Sequence, residues 1–593
     1  MKFKDLPGRY PLWIAFIFMT ICLLPVMVLR DFSPSNELRY LSIADEALAN
    51  GYIFAFNYQG LPYADKPPLY LWLIMLCKLI FGRHSMFVLS FLFSYVPSLV
   101  IIWVMDRWVV SALRAESKVA GTELRLSQAL MTGTCGMFVG TAIFLRMDML
   151  MTMFIVLALY SFYKLYSGSG SAGVQSILLP VWIFMALFTK GPVGLLMPPL
   201  AIICFLLVKG QGRQLGKYLG WKTWGIIAIL SAVWLTGAFI DGGKEYINNL
   251  LFHQTVGRAV SAFTHNKPFW YYLVAVWYCT APYCLLLVGC VVAGFFGWEK
   301  RLFRSKGKGE KAGDYHCQMA GFSRQGQDPS SVRSTHEGLI REDTEGCHPG
   351  DAETLFMCAI LSTFVMLSAF SSKLSVYLLP IIPFMAGLFP FILARYGQRR
   401  WMSWCVGIMA GLLSLVGLVG LLGLIFFGEI LAPLLVDAPY IDSTQILIAL
   451  SIFFIGGSYA MILSIRKASP SRVVFITAST LLVAVYFGSW VMPEINKYTA
   501  YGSICAEVPA EGEVATLYLH RPEAMDVYLG REVTNYEKDS EALFSALSSR
   551  SSEDGPLTII SKVSRIPKDP LLSEFCSSHD ITISGSYWLC VID

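Results

Sequence analysis

One stretch near the start of the chain, residues 32–70, concentrates side chains that could transfer protons and bind anions. It follows a first apolar run and contains Glu37, Arg39, Asp45, Glu46, Asp65 and Lys66. Carboxylates can take or orient a proton, and Arg and Lys stabilise negative charge on a phosphate. A charged loop of this length with helix-like sections is more often functional than a simple connection. We therefore predict that it forms part of an active site at a membrane surface.

Other polar side chains interrupt apolar stretches further along the chain. They are Asp148 at the start of an apolar run, Lys190 between two such runs, Lys373 with Tyr377 one helical turn later, and His253 and Arg258 in a polar connection. A charge at the bilayer centre costs about 2.5–3.5 kcal/mol on insertion scales, so charges kept in such segments usually serve a function. These residues are therefore candidates for the same site.

The elements that must position these residues are membrane helices. Of the 593 residues, 55% are hydrophobic and 15% are charged, too few charges for a soluble protein of this size. A helix needs about 20 apolar residues to cross the bilayer. Runs of this kind predict 13 spans, at 11–29, 85–105, 126–145, 149–166, 174–189, 192–208, 223–241, 271–297, 353–371, 374–394, 402–428, 443–465 and 471–492. The shorter run 68–82 predicts an interfacial helix. The predicted fold is an all-α polytopic membrane protein with interfacial helices in its first outward loop.

The distribution of basic residues predicts the orientation. With a cytoplasmic N-terminus, 27 of the 46 Lys and Arg residues fall on the cytoplasmic face. The first apolar run lacks a small-residue cleavage pattern, so we expect it to be kept as a span. The loop 31–84 and every candidate residue named above then face outward. An odd number of spans places the C-terminal segment outside as well.

Two segments differ in composition from the predicted membrane domain, residues 1–492. The loop 298–352 is rich in Gly, Ser and mixed charge, which predicts a flexible cytoplasmic linker. Residues 493–593 are more polar, and predicted strands at 515–520, 557–562 and 581–592 with a helix at 540–549 indicate a small soluble α/β domain. One disulfide could form there, among Cys505, Cys576 and Cys590.

Short motifs follow one another in a fixed order over residues 11–400. They read NELRY at 36–40, YADKPP at 63–68, RMD at 146–148, TKG at 189–191, PFWYY at 268–272 and SKL at 372–374, followed by Tyr377. Together they resemble the bacterial aminoarabinose transferases and their relatives among polytopic lipid-donor glycosyltransferases of the GT-C type, which are related to protein O-mannosyltransferases.

The resemblance implies a glycosyltransferase of the inner membrane with a periplasmic C-terminal domain. Its donor would be a sugar on a polyprenyl phosphate such as undecaprenyl phosphate, and its acceptor an envelope molecule such as lipid A. A single displacement implies inversion at the anomeric carbon. Cations must stabilise the leaving phosphate. The expected substrate-binding residues are Asn36, Arg39, Tyr40, Lys66, Lys190, His253, Arg258, Lys373 and Tyr377.

The expected catalytic position departs from the family pattern. The family motif usually begins with Asp-Glu, and the Asp is assigned the catalytic role. This chain has Asn36 there, and Asn cannot act as a base. Either Glu37 has taken over this role, or Asp65 and Asp148 share the acid–base work. We favour Glu37 with Asp65.

Simpler roles for these residues, and other functions, remain open at this stage. Glu37 could pair with Arg39 or cap a helix, Asp65 could pair with Lys66, Asp148 could be an N-cap, and Lys190 could reach the headgroups. No cofactor is firmly indicated and no metal site is predicted, although a divalent cation on His253 and Asp65 is an alternative. Other functions are protein- or polysaccharide-directed transfer, lipid or sugar transport, and an inactive scaffold. Nucleic-acid binding is not indicated, because topology explains the basic residues.

Overall fold

The computed structural model describes residues 11–82, 85–251, 267–306, 350–397, 399–426, 439–550 and 555–592. Long apolar sequences form helices over most of this range. Up to residue 505 the α-helices are Pro11–Leu29, Arg39–Asn50, Leu69–Phe81, Ser85–Ser90, Val96–Ala115, Thr122–Thr134, Gly136–Ile143, Met147–Ser167, Ala172–Lys190, Pro192–Val208, Leu215–Tyr218, Trp221–Asn248, Tyr271–Cys279, Cys284–Lys306, Asp351–Ala369, Ile382–Tyr396, Arg400–Phe426, Thr444–Ile465, Pro470–Gly488, Met492–Thr499 and Gly502–Cys505.

The number of membrane-crossing helices is smaller than the sequence predicts. Within the described residues, ten helical stretches have the length and apolar composition needed to cross a bilayer. The chain is therefore a multi-pass membrane protein. Three other predicted spans differ: Pro192–Val208 is shorter, and the predicted spans 126–145 and 271–297 are each divided into two helices. Thirteen full spans are therefore not established.

The two divided spans are broken at points that contact each other. One break lies at Cys135, whose backbone is extended, and the other lies between Cys279 and Cys284. The Gly136 amide donates a hydrogen bond of 2.8 Å to the carbonyl oxygen of Ala281. The hydroxyls of Thr134 and Tyr283 are 2.6 Å apart. Each break therefore satisfies polar groups that the other exposes, as an apolar environment requires.

The first loop has the helical sections that its sequence predicts. A π-helical turn, Pro34–Leu38, leads into helix Arg39–Asn50, which ends at Gly51 in the left-handed conformation (φ 75°). Strands β1 (Asn57–Tyr58) and β2 (Leu61–Pro62) form a small hairpin, and helix Leu69–Phe81 follows. The predicted helix at 68–82 is confirmed, and its interfacial position stays a prediction.

The C-terminal residues form the predicted α/β domain. Its strands are β3 (Glu513–Thr516), β4 (Thr534–Asn535), β5 (Leu557–Lys562), β6 (Thr582–Ser584) and β7 (Tyr587–Ile592). They form one mixed sheet in the order β4-β3-β5-β7-β6, and β3 is parallel to β4 and β5. Helices Ser540–Ser548 and Pro570–Ser578 contribute Leu543 and Leu572 to a core with Trp588. Cys505, Cys576 and Cys590 are free thiols, so the suggested disulfide is not formed.

The C-terminal region packs directly on the first loop, an arrangement that we did not predict. The Asp31 carboxylate accepts hydrogen bonds from the Gly502 amide at 2.9 Å and from the Tyr528 hydroxyl. The Asp31 amide donates to Asn496 Oδ1 at 3.0 Å. Ser42 donates to the Asp526 carboxylate at 2.5 Å. The first loop and the C-terminal domain therefore lie on the same side of the helical bundle, as predicted.

The predicted linker at 298–352 is described only in part. Its residues 307–349 lie outside the described part of the chain.

Candidate active site

Glu37 is held by a buried ion pair at the start of the first loop. Its carboxylate accepts two hydrogen bonds from the Arg30 guanidinium, at 2.7 and 2.8 Å. It also accepts from the amide of Ser33 at 2.8 Å and from that of Leu145 at 2.6 Å. Arg30 in turn donates to the carbonyl oxygen of Ile143 at 3.2 Å and stacks on the Phe144 ring at 4.5 Å. Both carboxylate oxygens of Glu37 are thus occupied.

This environment bears on the two roles considered for Glu37. One prediction was a simple ion pair between Glu37 and Arg39. That prediction is wrong, because Glu37 pairs with Arg30. The contacts join the first loop to the connection between helices Gly136–Ile143 and Met147–Ser167. Glu37 therefore positions the loop, and its predicted catalytic role stays a prediction that this geometry does not favour.

A second buried ion pair brings together three of the predicted residues. Asp148 lies in the first turn of helix Met147–Ser167, and Lys190 is the last residue of helix Ala172–Lys190. The Lys190 ammonium bonds the Asp148 carboxylate and lies 4.7 Å from the centre of the Tyr377 ring. The side chain of Lys190 is 10% exposed and that of Asp148 is 7% exposed, so the ion pair is shielded from solvent. Lys190 therefore does not simply reach out to headgroups.

The first loop adds aromatic and charged groups to this pair. Tyr40 lies within electrostatic range of Lys190, and its ring packs edge-on against Tyr70 at 6.0 Å. The Arg39 guanidinium lies over the rings of Tyr40 and Tyr63, at 5.3 and 5.6 Å. Burial lowers the pKa of Arg39, but the nearby Tyr63, Tyr40 and Asp65 raise it more, so it stays charged. Asp65 is thus close to the guanidinium.

Lys373, Lys66 and Asn36 are the other predicted polar residues that the structure describes. The Lys373 side chain is buried, and its ammonium donates a hydrogen bond to the carbonyl oxygen of Phe370, the C-cap residue of helix Asp351–Ala369. Lys66 and Asn36 are half-buried and both make polar contacts. His253 and Arg258 fall outside the described residues, and nothing follows about their predicted roles.

The structure therefore gathers most of the predicted residues at one end of the bundle, below the C-terminal domain. Sequence reasoning missed Arg30 and the aromatic residues around the charges. Tyr70 lies within electrostatic range of Glu37 and Asp148, and Tyr272 within that of Tyr377. The Tyr246 hydroxyl donates to the carbonyl oxygen of Tyr63 at 3.1 Å. The one available signal was the placement of Arg30 at the end of the first apolar run, next to the charged loop.

The site combines cations, carboxylates and tyrosine hydroxyls at a bundle end. Lysine and arginine side chains near aromatic walls suit a phosphate with an apolar tail, and a carboxylate beside them can accept a proton. Among the described residues, no group of three or more His, Cys, Asp or Glu side chains could hold a metal ion.

Comparison with known proteins supports the resemblance seen in the motifs. No family model matches the chain. The undecaprenyl phosphate-alpha-4-amino-4-deoxy-L-arabinose arabinosyl transferase of Erwinia tasmaniensis is 25% identical over 303 residues, covering 49% of this chain and 51% of that protein. The protein of the same name from Edwardsiella ictaluri is 26% identical over 306 residues, covering 50% and 51%. The chain spans about half the length of the curated relatives it matches.

Solved structures extend the similarity to the whole fold. The crystal structure of ArnT from Cupriavidus metallidurans bound to undecaprenyl phosphate matches with a TM-score of 0.65 and 16% identity, covering 98% of each chain. Its apo state matches with a TM-score of 0.64 and 15% identity, covering 98% of this chain and 97% of that one. The chain has the ArnT fold, including the C-terminal domain.

Proposed function

We propose that the chain is a glycosyltransferase of the inner membrane that moves a sugar from a polyprenyl phosphate to an acceptor at the outer face. The observation that carries this proposal is the convergence of Arg39, Tyr40, Asp65, Asp148 and Lys190 at one end of a bundle with the ArnT fold. The curated relatives are named as arabinosyl transferases with an undecaprenyl phosphate-linked sugar, which supports this donor class.

The donor phosphate binds among the cations of the site. Arg39 and Lys66 belong to the first loop, Lys190 ends helix Ala172–Lys190, and Lys373 lies in the connection after helix Asp351–Ala369. Lys190 is held in place by Asp148 and Tyr377, so its ammonium need not be ordered when the donor binds. A phosphate that gains charge as the sugar leaves is stabilised most by cations fixed in advance.

Transfer is a single displacement. An acceptor oxygen attacks the anomeric carbon, the bond from that carbon to the phosphate oxygen breaks, and its electron pair stays on the phosphate. The acceptor proton passes to a carboxylate of the site. This sequence inverts the anomeric configuration, and a covalent glycosyl intermediate would contradict it.

Asp65 is the carboxylate best suited to take that proton. Glu37 has both oxygens occupied by Arg30 and backbone amides, and Asp148 is buried against Lys190. Asp65 is half-buried beside Arg39 and Tyr246, so an acceptor can reach it more easily. We therefore assign the base to Asp65, hold Asp148 as the residue that positions Lys190, and keep Glu37 as the residue that positions the loop.

The test is transfer of a labelled sugar by the purified full chain in vesicles. The donor is undecaprenyl phosphate carrying 4-amino-4-deoxy-arabinose, and lipid A is the first acceptor offered. The variants are Asp65→Asn, Lys66→Ala and Asp148→Asn. Asp45→Asn is the matched control, because Asp45 lies on the same loop, is 45% exposed and pairs with Lys78.

Asp65→Asn is expected to reduce kcat by about 100-fold or more, as for loss of a general base, while Asp45→Asn stays within about twofold. A wild-type protein that transfers no sugar to lipid A, to other envelope glycolipids or to protein acceptors refutes the enzyme proposal. Wild-type activity with full activity in Asp65→Asn refutes the assignment of the base.

A further inference from the structure

A cavity lies at the opposite end of the bundle from the candidate active site. It has a volume of about 590 Å³ and opens between helices Pro11–Leu29, Val96–Ala115 and Met147–Ser167. Lys164 lines it, and Asp148 lies near the other end of the same helix. Sixteen residues of helix separate the two, which corresponds to about 24 Å. The cavity is therefore distinct from the proposed transfer site.

Positive charge in this cavity exceeds negative charge. Arg125 is neutralised by Asp106, which accepts two hydrogen bonds from it at 2.9 and 2.7 Å. The other three cations, Arg107, Arg114 and Lys164, have no carboxylate partner within the part of the chain that the structure describes. Two of them stack on aromatic rings instead: Arg107 lies 5.1 Å from the Trp103 ring, and Lys164 lies 4.6 Å from the Tyr160 ring.

One side of the cavity is apolar and reaches the outer surface of the helical bundle. Leu12 and Phe16 line one side, and Trp13 and Trp103 flank it with 64% and 45% of their surfaces exposed. Tryptophan is enriched where membrane helices pass from hydrocarbon to headgroups. Exposed Trp rings beside three cations are the arrangement expected of a cavity at headgroup depth.

We propose that this cavity binds one anionic glycerophospholipid. Its phosphate lies among Arg107, Arg114 and Lys164, and its acyl chains follow the apolar wall formed by Phe16 and the Trp rings. Basic pockets between membrane helices are typical sites for anionic headgroups, and the volume is in the range of about 300–1,000 Å³ usual for ligand sites. A free phosphate would neutralise the cations but leave the apolar wall uncovered, so the lipid is the occupant. This binding is independent of the proposed transferase activity.

Native mass spectrometry of the full chain, titrated with phosphatidylglycerol or with phosphatidylcholine, tests the proposal. The variant is Arg107→Gln/Arg114→Gln/Lys164→Gln. The matched control, Arg213→Gln/Lys217→Gln/Lys222→Gln, removes the same charge from another connection on the same side. Each near-surface cation strengthens binding to an anionic lipid about fivefold. The cavity variant is therefore expected to bind phosphatidylglycerol on the order of 100-fold more weakly, and the control within about twofold of wild type.

A second variant separates a built site from general surface charge. Ser111→Phe keeps all three cations but fills the cavity that Ser111 lines. It is expected to lose phosphatidylglycerol binding as well. Retained binding in Ser111→Phe, equal losses in the cavity and control variants, equal binding of phosphatidylcholine, or displacement of the lipid by inorganic phosphate each overturns the proposal.

Discussion

The ion pair between Arg30 and Glu37 makes a quantitative prediction about the first loop. Glu37→Gln removes the negative charge but leaves the Arg30 guanidinium buried, with side-chain exposures of 8% for Arg30 and 2% for Glu37 in the pair. The Glu37 carboxylate accepts hydrogen bonds from Arg30 and from the backbone amides of Ser33 and Leu145. In Glu37→Gln, the side-chain NH₂ group would face some of these donors, and a donor cannot bond a donor. Removing one partner of a buried pair costs about 3–5 kcal/mol.

The cost of the unpaired charge can be separated from general damage by a variant that lacks both partners. Replacing both partners, as Arg30→Met/Glu37→Leu, removes both buried charges, and such replacements are often nearly neutral. We expect the double variant to recover about 2–3 kcal/mol of the free energy of unfolding that Glu37→Gln loses. Unfolding of the purified proteins in mixed micelles, titrated with SDS and followed by tryptophan fluorescence, measures it.

Transfer activity, measured on the same samples, distinguishes a positioning residue from a base. A positioning role predicts that Glu37→Gln loses stability and activity together. If Glu37→Gln unfolds like the wild type, within about 0.5 kcal/mol, the burial argument is wrong. If it is as stable as wild type yet inactive, Glu37 is the base that the sequence suggested first.

Three further predictions follow from other contacts. Lys190→Gln leaves Asp148 buried without its cation and should lower unfolding stability by about 3–5 kcal/mol in the SDS titration, whereas Lys190→Met/Asp148→Leu should lose less than half of that. Burial raises the pKa of Asp526 to about 6, so the neutral form is favoured in the folded state. Stability of the docked C-terminal domain should therefore rise by about 1–3 kcal/mol as pH falls from 7 to 5, and Asp526→Asn should abolish this dependence in thermal unfolding. Asp31→Ala removes bonds to Gly502 and Tyr528 and should make the C-terminal domain cleavable by limited proteolysis, more than Tyr528→Phe does.

Helix positions could be predicted from the sequence because apolar length alone determines most of them. Ten predicted spans have the expected length, and the failures have local causes that an apolar run does not reveal. The break at Cys135 depends on a hydrogen bond from Gly136 to Ala281, a residue far along the chain. Hydropathy predicts which segments are buried away from water. It does not predict which distant residue will form a hydrogen bond with a given backbone group.

The candidate site was predictable in its residue types but not in its pairings. Asp148 and Lys190 were each recognised as unusual, because a charge in an apolar segment needs a reason, and Tyr377 was recognised because it follows Lys373 by one helical turn. That Lys190 bonds Asp148, and that Glu37 bonds Arg30 rather than Arg39, depends on how helices pack. The docking of the C-terminal domain on Asp31 left no trace in the sequence at all.

The Asp31 contacts have a consequence for how the protein is made. Its partners Asn496, Gly502 and Tyr528 follow it in the chain by 465, 471 and 497 residues. At about 5–20 residues per second, a ribosome needs roughly 25–100 s to reach them. During that time Arg30 and the first loop lack the contacts that Asp31 makes with the C-terminal region, so the candidate site is unfinished in the nascent chain. The contacts that Asp31 makes are therefore complete only after the C-terminal domain has folded onto the first loop.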